Sequence, residues 1–194
     1  MTDHYQQGPE GWTGVVLAGG RSSRMGRDKA LMDYQGRPLI QHAIDVLHPH
    51  VDELLIIGDP LLYDRSGALA IADDAPGNGP LGGIVTALRY AWNERMIILA
   101  CDMPHVPARF LTLLKGALDE HHEAVVAQCD GRLEPLAAVY TRRCRHPFAS
   151  QVQAGRLKMS DAIEQVRTRY VQICPGEDGW PSDLFRNINA PSDL

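Results

Sequence analysis

Short apolar runs recur along the chain at about residues 13–18, 53–57, 69–72, 95–100 and 123–128, each bounded by polar, glycine or proline positions. Runs of this length read as β-strands buried in a sheet. Between them the period changes to that of a helix. Beginning near Pro38, residues Leu39, Ile40, Ala43, Ile44 and Leu47 share one helical face. A second helix is predicted from about Leu81 to Asn93. A third starts at Pro107, a favoured first helical position, and carries Phe110, Leu111, Leu113, Leu114 and Leu118. Strands alternating with helices predict a mostly parallel central sheet covered on both faces. With right-handed crossovers this is an α/β, Rossmann-like, three-layer αβα fold.

The last third follows a different rhythm. Pro135 to Tyr140 is apolar enough for a strand, residues 141–167 are helical in pieces, and Arg169 to Ile173 alternates like an edge strand. No repeat or low-complexity linker divides the chain. Residues 13–194 are therefore expected to form a single domain, and residues 1–12 a flexible extension. The start, Met1 to Gln7, is polar and lacks the apolar core of a signal peptide, and no apolar run approaches a membrane span.

Composition narrows the function classes. Apolar residues make up 44% of the 194 residues, which supports a real core. The net charge of −5 argues against a nucleic-acid binder, which normally presents a basic face. The four cysteines, at 101, 129, 144 and 174, show no Cys-x-x-Cys spacing. Neither zinc nor a redox motif is indicated, and a reduced, cytoplasmic setting fits. The eight histidines show no ligand spacing; His48, His50, His121 and His122 fall near helix ends, where solvated roles are expected. Trp12, Trp92 and Trp180 are assigned to packing.

Three segments at strand ends carry candidate chemistry. Leu17-Ala18-Gly19-Gly20-Arg21-Ser22-Ser23-Arg24-Met25-Gly26-Arg27-Asp28-Lys29 follows the first strand. Its glycines let the backbone approach an anion and its cations neutralise charge, which suits a polyphosphate. The loop matches neither the Walker A pattern nor Gly-x-Gly-x-x-Gly. Asp102 ends the apolar run Met96 to Cys101 and is a candidate Mg²⁺ ligand; it could equally form the turn that enters the helix at Pro107. Asp73 to Gly83 reads as a long polar turn, either lining a base or ribose pocket or merely connecting at the surface. In open α/β sheets ligands bind beyond the carboxyl ends of strands, where these three segments coincide. Glu134-Pro135-Leu136 and Asn187-Ile188-Asn189 read as acceptor-side or lobe-closing elements, though taken alone both are ordinary turns.

In this order, the segments resemble the molybdenum cofactor guanylyltransferases. The matching pieces are Leu17 to Gly20, Arg24-Met25-Gly26, Asp28-Lys29, Gly79-Pro80-Leu81-Gly82-Gly83, Cys101-Asp102-Met103-Pro104, Glu134-Pro135-Leu136 and Asn187-Ile188-Asn189-Ala190-Pro191. The related cytidylyltransferases carry Leu-Ala-Ala-Gly where this chain has Leu17-Ala18-Gly19-Gly20. The resemblance implies a nucleotidyltransferase fold, GTP as nucleotide-binding ligand, magnesium as metal, and molybdopterin or molybdenum cofactor as acceptor. It extends to possible contact with other cofactor-biosynthesis or molybdoenzyme maturation proteins. By the same resemblance Leu17, Ala18, Gly19 and Gly20 contact nucleotide, Lys29 binds phosphate, Asp73 contacts the nucleotide, and Asp102 binds nucleotide and Mg²⁺. Arg24, Lys29 and Asp102 are expected to be the catalytic set. The family's nucleotide-touching asparagine after the second strand has no counterpart in Gly58-Asp59-Pro60. Two alternatives stay open: a nucleotidyltransferase using CTP or a sugar-phosphate acceptor, and a non-catalytic cofactor-binding module.

Overall fold

In the computed structural model, residues 10–18, 28–64 and 66–189 are described. Nine strands occur among them: β1 (Trp12–Leu17), β2 (Asp33–Tyr34), β3 (Arg37–Pro38), β4 (Glu53–Ile57), β5 (Leu69–Ile71), β6 (Arg95–Ala100), β7 (Ala124–Cys129), β8 (Arg132–Thr141) and β9 (Thr168–Gln172). The helices are α1 (Leu39–Leu47), α2 (Pro60–Tyr63), α3 (Gly79–Tyr90), α4 (Ala108–Ala117), α5 (Arg145–Gln153) and α6 (Met159–Ile163).

One sheet organises the chain, in the order β5-β4-β1-β6-β8-β7-β9. The pairs β5–β4, β4–β1, β1–β6 and β7–β9 are parallel, whereas β8 runs antiparallel to both its neighbours. The pleat sorts alternate residues to opposite faces. Val16, Ile56, Ile97 and Val125 pack with α1 and α4. Val15, Leu55, Ile98 and Val126 pack with α3, α5 and α6. Two apolar layers thus sandwich the sheet, as the alternation predicts.

Three expectations shift. The Asp73–Gly83 turn is shorter than predicted, because Gly79 to Gly83 already form the first turn of α3. Pro80 sits at a position where a missing N–H costs nothing. Glu134 to Leu136 do not precede β8 but lie inside it. There the β7–β8 register jumps from Val126↔Ala138 to Ala127↔Glu134, so Pro135 falls in a bulge where no ladder donor is needed. Trp12, placed in the extension, is the first residue of β1.

The cysteines require a correction. Cys129 and Cys174 are joined as a disulfide, with Cα atoms 5.0 Å apart, so the all-reduced reading does not hold. Parallel pairing of β7 and β9 brings Gln128 beside Gln172, which leaves the two cysteines adjacent just beyond. Cys101 and Cys144 are free and buried. The cross-link closes a separation of 45 residues. Its reduction is expected to lower stability by about 4 kcal/mol on the chain-entropy model. The check is the urea midpoint with and without a dithiol, alongside a thiol count. Four free thiols in the untreated protein would contradict the bond.

Trp12 and Trp180 do pack: Arg95 and Lys115 lie over the Trp12 ring, and Trp180 meets Phe110 edge-on. Trp92 does not; it is 68% exposed, because it follows the end of α3 and faces solvent. His48 and His50 close α1, and His122 bonds Asp119 just past α4, as the helix-end reading predicts. Among the described residues, no helix is long and apolar enough to cross a membrane.

Candidate active site

A cleft of about 1210 Å³ opens at the carboxyl ends of β1, β4, β5 and β6. Its walls include Leu17, Ala18, Lys29, Asp59, Asp73, Gly79, Pro80, Gly83, Asp102 and Asn189. The sheet places them. Ala18 N–H donates to the Ile57 carbonyl and Cys101 N–H to the Leu17 carbonyl, so the ladder continues just past the strand ends. Tyr63 then caps the floor, its hydroxyl donating to the Ala18 carbonyl at 3.4 Å. Burial and the Asp28 carboxylate push the Tyr63 phenol well above its usual range, so it stays a neutral donor.

Lys29 lies at the centre. Asp28 caps the short 3₁₀ helix Lys29–Leu31 by accepting from Ala30 N–H at 2.9 Å, which fixes the backbone at Lys29. The Lys29 ammonium donates to Asp102 Oδ2 and to Asn189 Oδ1, each at 2.7 Å. The Lys29 and Asp102 side chains are 15% and 21% exposed, so water only partly screens the pair. Asp102 also anchors the last described segment through its carbonyl, which accepts from Ile188 N–H at 2.9 Å.

That segment, 173–189, crosses the α4 face of the sheet. Arg109 donates to the Gly179 carbonyl and lies over the Trp180 ring. Leu184, Phe185 and Ile188 are buried. His105, three residues after Asp102, ties the segment down through Asp183 at 3.1 Å while its other ring nitrogen meets the Tyr34 hydroxyl at 3.2 Å.

Asp73 follows β5 on the opposite wall. Its Oδ1 accepts from Ala75 N–H and from the Thr86 hydroxyl, both at 2.9 Å. The start of α3 approaches this turn closely. A Cβ on Gly82 would stand 2.9 Å from the Ala75 carbonyl oxygen, which is backbone and cannot swing away. Gly82→Ala should gain about 1 kcal/mol of helix propensity and lose about 1–3 kcal/mol to overpacking. A net loss in the urea-unfolding free energy is expected; a gain would contradict the close approach.

Cys101 lines the same floor but is chemically silent. Burial, with the adjacent Asp102 carboxylate adding to it, raises its thiol to about 12. It stays protonated at neutral pH and is no nucleophile.

Of the residues predicted from sequence, Leu17, Ala18, Lys29, Asp73 and Asp102 all line one cleft. Gly19, Gly20 and Arg24 lie outside the described residues. Asn189 belongs to a segment that carries the family resemblance but has no site role from sequence; the structure brings it to Lys29 from 160 residues away, a contact that residue spacing does not encode. Asp59 caps α2 and lines the cleft. Leu136, from the β8 bulge, and Leu157 line the cleft as well.

Asp102 fits a hard cation such as Mg²⁺, which takes one or two carboxylate oxygens and completes its shell with phosphate and water. Among the described residues, the one cluster of three potential ligand side chains by distance, Cys129, Asp130 and Cys174, contains the disulfide, whose sulfurs are not thiolates, and it does not line the cleft.

Residues 14–169 match the model of the MobA-like NTP transferase domain. A Bacillus licheniformis protein named "Probable molybdenum cofactor guanylyltransferase" is 37% identical over 187 residues, covering 93% of each chain. A Halalkalibacterium halodurans protein of the same name is 35% identical over 189 residues, covering 93% of this chain and 94% of its own. Among solved structures, molybdopterin-guanine dinucleotide biosynthesis protein A of Archaeoglobus fulgidus superposes with a TM-score of 0.78 at 26% identity, covering 93% of this chain and 94% of that one. On the extent of these matches, the chain belongs to the MobA-like NTP transferases, the nucleotidyltransferase family of the molybdenum cofactor guanylyltransferases.

Proposed function

We propose that the protein transfers GMP from GTP to the terminal phosphate of molybdopterin, forming the guanine dinucleotide cofactor and releasing pyrophosphate. The observation that carries this reading is the Lys29–Asp102 pair, which sets a cation beside a carboxylate of the kind a hard metal ion takes, at the carboxyl end of the sheet. The named relatives support GTP as donor and the pterin as acceptor.

In this reading residues 13–194 work as one domain. The wall bearing Leu17, Ala18 and Asp73 holds the nucleotide, a role the family resemblance also gives to Gly19 and Gly20. The wall bearing Leu136 and Leu157 faces the acceptor. The acceptor's phosphate oxygen attacks the α-phosphorus of GTP in line, a P–O bond forms, and the α–β bridge bond breaks to release pyrophosphate. The nucleophile is already an anion, so no protein base has to remove a proton. Catalysis then consists of positioning and charge neutralisation. Lys29, together with Arg24, offsets charge on the transferred and departing phosphates. Asp102 would hold Mg²⁺, which when bound supplies positive charge to the phosphate oxygens.

A panel of GTP, CTP, UTP and ATP, tested for binding to the purified protein with Mg²⁺, checks the donor. GTP is expected to bind at least tenfold more tightly than CTP. Preference for CTP or UTP would reject the guanylyl reading. Tight GTP binding without pyrophosphate release, once acceptor is supplied, would indicate a non-catalytic module.

A further inference from the structure

Asp73 reaches the cleft from the weakest part of the sheet. β5 is a three-residue edge strand, paired on one side only and with no fully buried residue. Such a strand fixes the direction of the chain but holds its far end loosely. The turn after it is secured by α3. Thr86, one helical turn beyond Gly82, is 1% exposed. Its hydroxyl oxygen accepts from Asp74 N–H at 3.1 Å. Its single proton can go to Asp73 Oδ1 at 2.9 Å or to the Gly82 carbonyl at 3.1 Å. The nearer acceptor is also the charged one, so the proton belongs to Asp73. With Ala75 N–H on the same oxygen, Oδ1 holds two donors, and Asp73 itself lines the cleft.

We infer that Thr86 is a positioning residue for nucleotide binding: it fixes the Asp73 carboxylate so that one oxygen is committed to the fold and the other is presented to the bound nucleotide. The inference rests on the nucleotidyltransferase reading of the cleft, though not on which nucleotide is used. α3 is well suited to the task. Gly83 of the same helix packs beside Leu17, where an added Cβ would meet Leu17 Cδ2 at 3.4 Å. The helix therefore references Asp73 to the end of β1 rather than to the edge strand.

Substitution separates this role from simple packing. Thr86→Val keeps the shape and removes the hydroxyl; Thr86→Ser keeps the hydroxyl and removes the methyl. Arg89→Ala is the control, since Arg89 pairs with Asp74 in the same turn at 2.9 Å but does not touch Asp73. Binding of the preferred nucleotide from the panel should weaken about tenfold in Thr86→Val, the loss of roughly one charge-assisted hydrogen bond. Thr86→Ser should remain within about twofold of the parent, and Arg89→Ala likewise. In turnover the Val variant should raise KM and leave kcat within about twofold, because Asp73 does not act on the reacting phosphorus.

Unaltered binding in Thr86→Val overturns the inference. So does equal weakening in Arg89→Ala, which would mean that general loosening of the turn is responsible. If the preferred nucleotide proves to be CTP while the Val and Ser variants still behave as stated, the guanylyl reading fails and the role of Thr86 stands. If no nucleotide binds the parent protein, both fail.

Discussion

Replacing Asp102 with asparagine is expected to cut turnover on the order of 10²–10³-fold, the cost of removing a group that acts on transition-state charge. The fold should scarcely notice. The substituted amide would keep an oxygen within reach of Lys29, and Asn189 already accepts from the same ammonium. A stability loss of about 1 kcal/mol or less follows. Nucleotide binding adds a sharper test. Asp102 lies in the cleft proposed to receive the triphosphate, where Lys29 pairs with it at 2.7 Å. Once Lys29 turns to phosphate, Asp102 is left exposed to like charge unless a cation shares it. Asp102→Asn should therefore bind GTP in the absence of Mg²⁺ more tightly than the parent, and gain less on adding Mg²⁺. Full Mg²⁺-dependent turnover by this variant would remove Asp102 from the site.

Lys29→Met is expected to lower kcat/KM on the order of 10²-fold or more, with both binding and turnover affected. Two effects add. The ammonium that meets the phosphates is gone, and the Asp102 carboxylate stands unpaired in the cleft. The Lys29 Nζ sits 2.7 Å from each of two oxygens on different segments, a compact geometry that a planar guanidinium cannot reproduce without moving one of them. Lys29→Arg should therefore recover less than about tenfold of the lost activity. Steady-state kinetics on both variants, with GTP as the varied substrate, decide the point. Near-parent kcat/KM in Lys29→Met would show that the lysine serves only to hold the 173–189 segment.

The sheet was legible because its strands carry their own signal. Val15-Val16-Leu17 and Met96 to Ala100 are apolar on both faces, as strands covered on both sides must be, and their ends fall within a residue or two of prediction. The start of α3 was obscured because Gly79-Pro80-Leu81-Gly82-Gly83 uses turn-forming residues for a helix N-terminus. The β8 bulge was hidden for a related reason: Pro135 reads as a boundary although it sits inside a strand.

At the site, residues that follow strands were flagged by position, and the family resemblance gave them their expected roles. Lys29, Asp73 and Asp102 lie beyond β1, β5 and β6, and a parallel sheet collects such residues at one edge. Partners held by non-local contacts were not found. Asn189 reaches Lys29 only after the chain has crossed the α4 face, and Thr86 reaches Asp73 across the cleft wall. The disulfide was missed because β7 and β9 become neighbours only through the sheet order, which residue spacing does not encode.

Guanylyl transfer at the Lys29–Asp102 cleft is decided by one labelling experiment. The protein is supplied with Mg²⁺, molybdopterin and GTP labelled at either the α- or the γ-phosphate. The α-label is expected to appear in a pterin guanine dinucleotide and the γ-label in pyrophosphate, in equal amount, and Asp102→Asn is expected to slow both on the order of 10²–10³-fold. Binding of GTP with neither product formed, or label transferred from CTP in preference to GTP, would contradict guanylyl transfer.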